Sequence, residues 1–273
     1  MQNLFWSLII PKVSVVMSVF NGGDFLNHSI ESILFQTFQD FEFIIVNDGS
    51  EDDSLEKINK YARSDERIIV INQEKNIGLT KCLNIGCNLS KGEYIARHDA
   101  DDISLNTRLE KQLNVIEKRN DVVLLGSLFF EINNERKVIS KYFDENLILK
   151  KLKLQNPLIH SSAFIRSEIF RKIGFYNELY KTSQDYDAWL RISKHGKLVM
   201  LNEPLIDYYV NQNSISNKYR LFQCFNSIKI RWHHRKYIGL KYFFIGSAYR
   251  LLAAYTPKII VNIKRHFFIR SMR

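Results

Sequence analysis

Apolar and polar positions repeat with two different spacings along the first hundred residues. Residues 13–20 (VSVVMSVF), 42–47 (EFIIVN), 68–72 (IIVIN) and 93–97 (EYIAR) are short runs rich in β-branched and aromatic side chains. Such near-continuous runs predict strands buried on both faces. Between them the spacing becomes helical, over residues 25–36, 54–62 and 79–89. Strands alternating with helices predict a parallel sheet with right-handed crossovers. A further helix is expected over 106–118, then a longer strand over 122–131 that leaves the alternation, so the second half is built differently. Residues 167–173 and 185–194 read as helices, the latter opened by Thr182 or Ser183 as an N-cap. No internal repeat or low-complexity tract interrupts the chain.

Composition narrows the class. The 273 residues are 45% hydrophobic and 25% charged, with 11 Gly and 4 Pro, which excludes collagen-like, mucin-like and largely disordered chains. One large domain, or one with an appendage, is expected. Cys82, Cys87 and Cys224 are too few and wrongly spaced for a zinc ribbon, a CxxC pair or a disulfide framework. A reducing cytosol fits them, with Cys82 and Cys87 as small core residues of one helix. No signal peptide is read at the start, and no charge-free stretch approaches the ~20 apolar residues that cross a bilayer. The net charge of +10 is uneven: residues 217–273 hold 13 Lys/Arg and no acid, leaving −3 for the first 216.

In open parallel sheets ligands bind beyond the carboxyl ends of the strands. Three polar clusters stand there: Asn21-Gly22-Gly23, Asn47-Asp48-Gly49-Ser50, and Asp99-Ala100-Asp101-Asp102. The first two are also ordinary turn chemistry. Three carboxylates within four residues repel one another unless solvent or a cation relieves them. Asp99 and Asp101, two apart in an extended segment, point to one side and can share a hard cation. Mg²⁺ or Mn²⁺ is commonly held by one or two carboxylates with phosphate oxygens completing the shell, which suggests a diphosphate ligand. Neither GxGxxG after the first strand nor GxxxxGK[ST] is present, which argues against dinucleotide enzymes and P-loop NTPases. Asp185 lies in the first turn of its helix, where a carboxylate is favoured by the macrodipole alone. Asp187 is placed to pair with Arg191 at i,i+4. Trp189 suits either the core or a sugar-stacking platform, and His160 either a buried hydrogen bond or the site.

VSVVMSVFNGG, IIVNDGSEDDS, NIGLTKCLNIGCNLSKGEYIARHDADD and SQDYDAWLRI, in this order and spacing, resemble the family 2 glycosyltransferases of the GT-A fold over about residues 12–216. The resemblance implies an α/β, Rossmann-like GT-A fold with a mainly parallel central sheet flanked by helices. It also implies an inverting transferase of the bacterial polysaccharide or O-antigen type. Such an enzyme moves a sugar from a nucleotide diphosphate sugar, with a uridine donor favoured, to a hydroxyl of a lipid-linked or saccharide acceptor. Carried over position by position, Val19 and Asn21 edge the base and ribose, Asp48 accepts from the base, and Asn76 and Gly78 border the same pocket. Asp99-Ala100-Asp101 is similar to the family's DxD motif for Mn²⁺ or Mg²⁺, with Asp101 as the direct ligand and Asp99 beside the donor. Asp185 corresponds to the catalytic base, and His160 and Trp189 fall near the acceptor or diphosphate. Gln184 departs from the usual neighbouring acid, which lowers the expected pKa of Asp185. Tyr209 and Asn211 stand where relatives carry Arg and His.

The expected organisation is a catalytic domain over 1–216, with a nucleotide-binding half (about 12–104) and an acceptor half (about 105–216), followed by a basic amphipathic helical tail over 217–273. That tail interleaves Lys/Arg with 12 aromatics and is expected to hold the protein on the anionic cytoplasmic face of the plasma membrane. A helical hairpin packed on the catalytic domain with its basic face exposed accounts for the same pattern. Two rival functions fit parts of the same pattern. A nucleotidyltransferase expects a Gly- and Arg/Lys-rich loop after the first strand, where this chain has Phe20-Asn21-Gly22-Gly23-Asp24. A non-enzymatic binder of nucleic acid or an anionic surface leaves Asp99 and Asp101 without a purpose.

Overall fold

The computed structural model describes residues 10–133, 136–209 and 220–255. Strands β1 (Val13–Val19), β2 (Phe41–Asn47), β3 (Ile68–Asn72) and β4 (Tyr94–Arg97) alternate with helices α1 (Phe25–Leu34), α2 (Ser54–Ser64) and α3 (Leu79–Leu89). All their mutual pairings are parallel. Every residue of β1 and β2 is buried, the continuous apolar run expected of strands covered on both faces.

The chain then departs from this pattern. Strand β5 (Asp102–Ser104) and α4 (Arg108–Glu117) lead into β6 (Val122–Asn133) and β7 (Arg136–Ile139), followed by α5 (Glu145–Leu154). Strand β8 (Phe164–Arg166), α6 (Ser167–Lys172), α7 (Gln184–Ile192) and β9 (Lys197–Tyr209) complete the unit. The sheet order is β3-β2-β1-β4-β8-β6-β9-β5, with β7 paired to β6. Strand β8 runs antiparallel to β4 and β6, β5 antiparallel to β9, and β6 parallel to β9. The sheet is therefore mixed: the expected parallel pairing holds throughout its first half and between β6 and β9, and is broken at β8, β5 and β7. The physical reason lies in β8 and β5, three residues each, which enter the sheet as short returning segments without a crossover helix.

Period-two geometry divides the core. Val13, Val15, Met17 and Val19 of β1 pack with Leu26, Ile30 and Ile33 of α1, while Val16 faces Leu83 and Cys87 of α3. Cys82, Cys87 and Cys224 are all buried free thiols.

The tail forms α8 (Arg220–His233), a short α9 (Arg235–Ile238) and α10 (Leu240–Tyr255). Helix α8 buries one face, through Cys224, Asn226, Ser227, Ile230 and Arg231, against α10 and α7, and Arg231 reaches the end of α5. The expected boundary at 216/217 and residues Asn211, Phe267 and Phe268 lie outside the described residues. Among the described residues no helix is long and apolar enough to cross a membrane.

Candidate active site

The loops after β1 and β2 are tied together by side chains the sequence marks as turn formers. Asn21 has φ +51°, a left-handed conformation that Asn tolerates. Its Oδ1 accepts from the Glu51 N–H at 2.8 Å, and its own N–H donates to Ser50 Oγ at 3.0 Å. Gly22 and Gly23 donate backbone N–H groups to Ser54 Oγ and Asp52 Oδ2. Val19 is fully buried and its carbonyl accepts from Asp48 N–H at 2.7 Å, which ties the end of β1 to the loop after β2.

Asp48 is buried beneath the next loop. Its carboxylate accepts from Ile77 N–H at 2.6 Å and from Gly78 N–H through both oxygens, fixing Asn76-Ile77-Gly78 over the end of β2. Two N–H groups supply these bonds, and the Cys82 thiol donates to the same carboxylate. Gly49 lets this loop close: a Cβ on it would meet the Lys75 backbone at 2.5 Å, and its φ is +66°. The result is a cavity of about 340 Å³ lined by Asn47, Gly49, Ser50, Asn72 and Asn76 among others. It sits at the carboxyl ends of β2 and β3, the position where open sheets bind ligands.

Beyond β4 the acidic cluster is organised by residues that the sequence did not single out. Arg97, the last residue of β4, is 1% exposed and bonds Asp99 Oδ1 and the Val16 carbonyl. His98 is fully buried between Ser29 and Ser104, and burial holds its pKa well below the usual imidazole range. It anchors the loop as a neutral group. Asp101 is pushed up to about 6, by burial first and then by the charge of Asp99. Asp102, in β5, is fully enclosed, with Ser161 and the Tyr209 N–H as the polar groups facing its carboxylate. Burial, then Asp99 and Asp101, push its pKa well above the carboxylate range. Asp99 is engaged by Arg97, which leaves Asp101 as the carboxylate available to a cation. These hard oxygens, crowded and under-neutralised, fit Mg²⁺ or Mn²⁺.

Asp185 begins the other wall. Its Oδ2 accepts from Asn156 Nδ2 at 2.7 Å and its Oδ1 from the Tyr186 N–H at 2.8 Å. Burial is the main cause that pushes its pKa up to about 6, and the charge of Asp99 adds to it, so the two acids act on one region. Burial outweighs the lowering expected from Gln184. The expected side-chain cap of α7 is not made. Ser183 occupies the cap position with φ 60° and no capping bond, while Thr182 Oγ1 accepts from Asn226 of the tail at 3.0 Å.

His160 lies half-buried with Nε2 2.7 Å from the Tyr176 hydroxyl, and burial keeps it neutral. Trp189 is 0% exposed, edge-on to His160. The expectation that it meets acceptor or diphosphate is corrected: enclosed in the core, it has no face for a sugar. Tyr209 packs its ring on Phe25 at 5.1 Å. Arg97 left one signal in the sequence, a cation ending an apolar run just before the acids. Asn156 left none.

The comparisons with known proteins agree with this geometry. Residues 14–174 match the family model described as glycosyl transferase family 2. The O-antigen biosynthesis glycosyltransferase WbnJ of Escherichia coli is 33% identical over 76% of this chain and 82% of its own. TarS of S. aureus, solved with UDP-GlcNAc, superposes with a TM-score of 0.69 at 16% identity, covering 88% of this chain and 71% of its own. The mannosyltransferase PcManGT of Pyrobaculum calidifontis, solved with GDP-Man and Mn²⁺, gives 0.64 at 13% identity over 96% and 81%. The fold is that of the GT-A enzymes, and the chain belongs to the family 2 glycosyltransferases.

Proposed function

We propose that the protein is a metal-dependent, inverting glycosyltransferase that moves a sugar from a UDP-sugar to a hydroxyl of a lipid-linked or saccharide acceptor in cell-surface polysaccharide assembly. The observation that carries the reading is Asp185: a carboxylate with each oxygen fixed by one N–H donor, a pKa pushed up to about 6 chiefly by burial, and Asp99 within electrostatic reach. UDP-GlcNAc in TarS, GDP-Man with Mn²⁺ in PcManGT and the O-antigen role of WbnJ support the donor class, the metal and the acceptor class.

The loops after β1, β2 and β3 receive the nucleotide, with Asn76 lining the cavity, Asn21 and Asp48 holding the surrounding loops through their hydrogen bonds, and Val19 and Gly78 at the adjoining strand end and loop. Asp101 and Asp99 would hold the divalent cation, which supplies electrostatic stabilisation of the departing diphosphate. Asp185 accepts the proton of the incoming hydroxyl, whose oxygen attacks the anomeric carbon as the bond to the diphosphate breaks on the opposite face. One in-line displacement inverts the centre, and no covalent intermediate forms. A panel of nucleotide sugars with Mn²⁺ tests the assignment. The correct donor at 100 times its Kd raises stability by ~2.7 kcal/mol, and an acceptor then releases nucleoside diphosphate. No stabilisation by any nucleotide sugar in the panel would overturn the reading.

The same proposal includes peripheral docking on the anionic inner face of the plasma membrane from the cytoplasm. Leu221, Phe222, Phe225 and Trp232 of α8 and Phe244, Ile245 and Tyr249 of α10 are exposed, and the tail carries no acid to repel anionic lipid. The full chain is expected to float with anionic vesicles and not with neutral ones. Lys241→Glu changes two charges at ~1 kcal/mol each, so partition should fall about tenfold or more. Equal flotation on both vesicle types counts against the surface.

A further inference from the structure

The two wall elements that carry Asp185 and Asn156 are both gripped by the tail. On α7, Asp187 is 1% exposed and accepts from Arg191 Nε at 2.8 Å and from His234 Nε2 at 2.8 Å. His234 sits at the α8–α9 junction and is 4% exposed. Its partner carboxylate stays ionised, since bonds from His234 and Arg191 hold the Asp187 pKa below the usual range despite burial. The fixed acceptor requires a proton on Nε2 of His234. Asn226 of α8 reaches Thr182, two residues before α7.

Arg231 completes the grip. It is 1% exposed, lies 4.9 Å from the Tyr186 ring, and bonds the Leu154 carbonyl at the end of α5. Leu154 is two residues before Asn156, the donor to Asp185. Gly246 of α10 admits this arrangement, because a Cβ there would meet Arg231 Nε at 2.6 Å and the Leu154 carbonyl at 2.9 Å.

We propose that the tail is part of the catalytic centre, with His234 and Arg231 as positioning residues that hold Asp185 and Asn156 in register. The proposal rests on Asp185 as the base. Neither residue touches the reacting atoms. Each holds the neighbour of a group that does: His234 through Asp187, two residues on in α7, Arg231 through Tyr186 and Leu154. Without His234, Asp187 Oδ1 loses its donor while Arg191 still holds Oδ2; a buried acceptor left unsatisfied is costly, so the effect of losing His234 passes directly into α7.

The experiment uses the full chain with His234→Ala, His234→Gln and Asn226→Ala. Hydrogen exchange at the amides of residues 184–192 should accelerate at least tenfold in His234→Ala, while β1 and β2 keep their protection. Turnover should fall about tenfold with the donor KM within twofold. His234→Gln, which retains an N–H toward Asp187, should recover most of both, and Asn226→Ala should give a milder form of the same split. Exchange reports the clamp whether or not the protein transfers sugar. Loss of local protection without any sugar transfer by wild type would therefore fault the base assignment and leave the grip standing. Unchanged exchange over 184–192 in both His234→Ala and Asn226→Ala, or a parallel loss of donor affinity and turnover, would overturn the proposal.

Discussion

Asp185→Asn is expected to lower kcat by ~10² or more while donor affinity stays within a few fold, because an amide keeps the shape of the carboxylate and cannot take a proton. The surroundings sharpen this expectation. Asn156 Nδ2 and the Tyr186 N–H both donate to Asp185, and an amide has one oxygen to offer two donors. One hydrogen bond is lost, at about 1 kcal/mol, which a melt will register separately from the rate. In the wild type, kcat/KM should climb through pH ~6 as Asp185 ionises, given its pKa of about 6, and then level. At saturating Mn²⁺, where protonation of Asp101 no longer limits the rate, the residual activity of the variant should lack that limb. The sign for stability is opposite. The folded pKa lies above the unfolded value of about 3.9, so ionisation costs the wild type stability as pH rises from about 4 to 6. The Asn variant escapes that cost. Should kcat survive while donor affinity collapses, Asp185 is a helix-terminus carboxylate and the base lies elsewhere.

The legible part of the chain was the part whose burial is local in sequence. β1 to β4 and the helices between them announce themselves because a parallel strand covered on both faces must be apolar throughout, and each crossover is read from adjacent residues. The order β4-β8-β6-β9-β5 depends on pairings scores of residues apart, so the break after 122 was visible and its consequence was not. The same distinction runs through the site. The Asp187–Arg191 pair lies at i,i+4 and follows from spacing; His234, 47 residues on, completes it without any local sign. The acids after β4 could be named as a repelling cluster, whereas their internal cation Arg97 was absorbed into an apolar run. The tail misleads most, because its count of 13 cations suggests a solvated surface. Arg231 is instead among the largest fully buried side chains. Charge composition reports which groups are present and is silent on which of them find partners inside.

Asp101→Ala is expected to abolish metal-dependent turnover and weaken donor binding, and EDTA on the wild type should reproduce it. Asp101 is the cleaner of the two acids to remove. Asp99 neutralises the buried Arg97, so Asp99→Ala would strand a cation and cost stability for a reason unrelated to metal. Asp101 carries the opposite burden: burial and Asp99 raise its pKa to about 6, and the alanine removes a repulsion. The variant should therefore fold at least as well as wild type near neutral pH while losing the stabilisation that Mn²⁺ with UDP gives. Protons compete with the cation for this carboxylate. Apparent Mn²⁺ affinity should accordingly weaken by up to about tenfold for each pH unit below ~6 and change little above it. Since both treatments act on one ligand set, EDTA added to Asp101→Ala should do no further harm. Wild-type rates in Asp101→Ala, or full activity in EDTA, would remove the cation from the mechanism and leave the diphosphate to be neutralised by the protein's own donors.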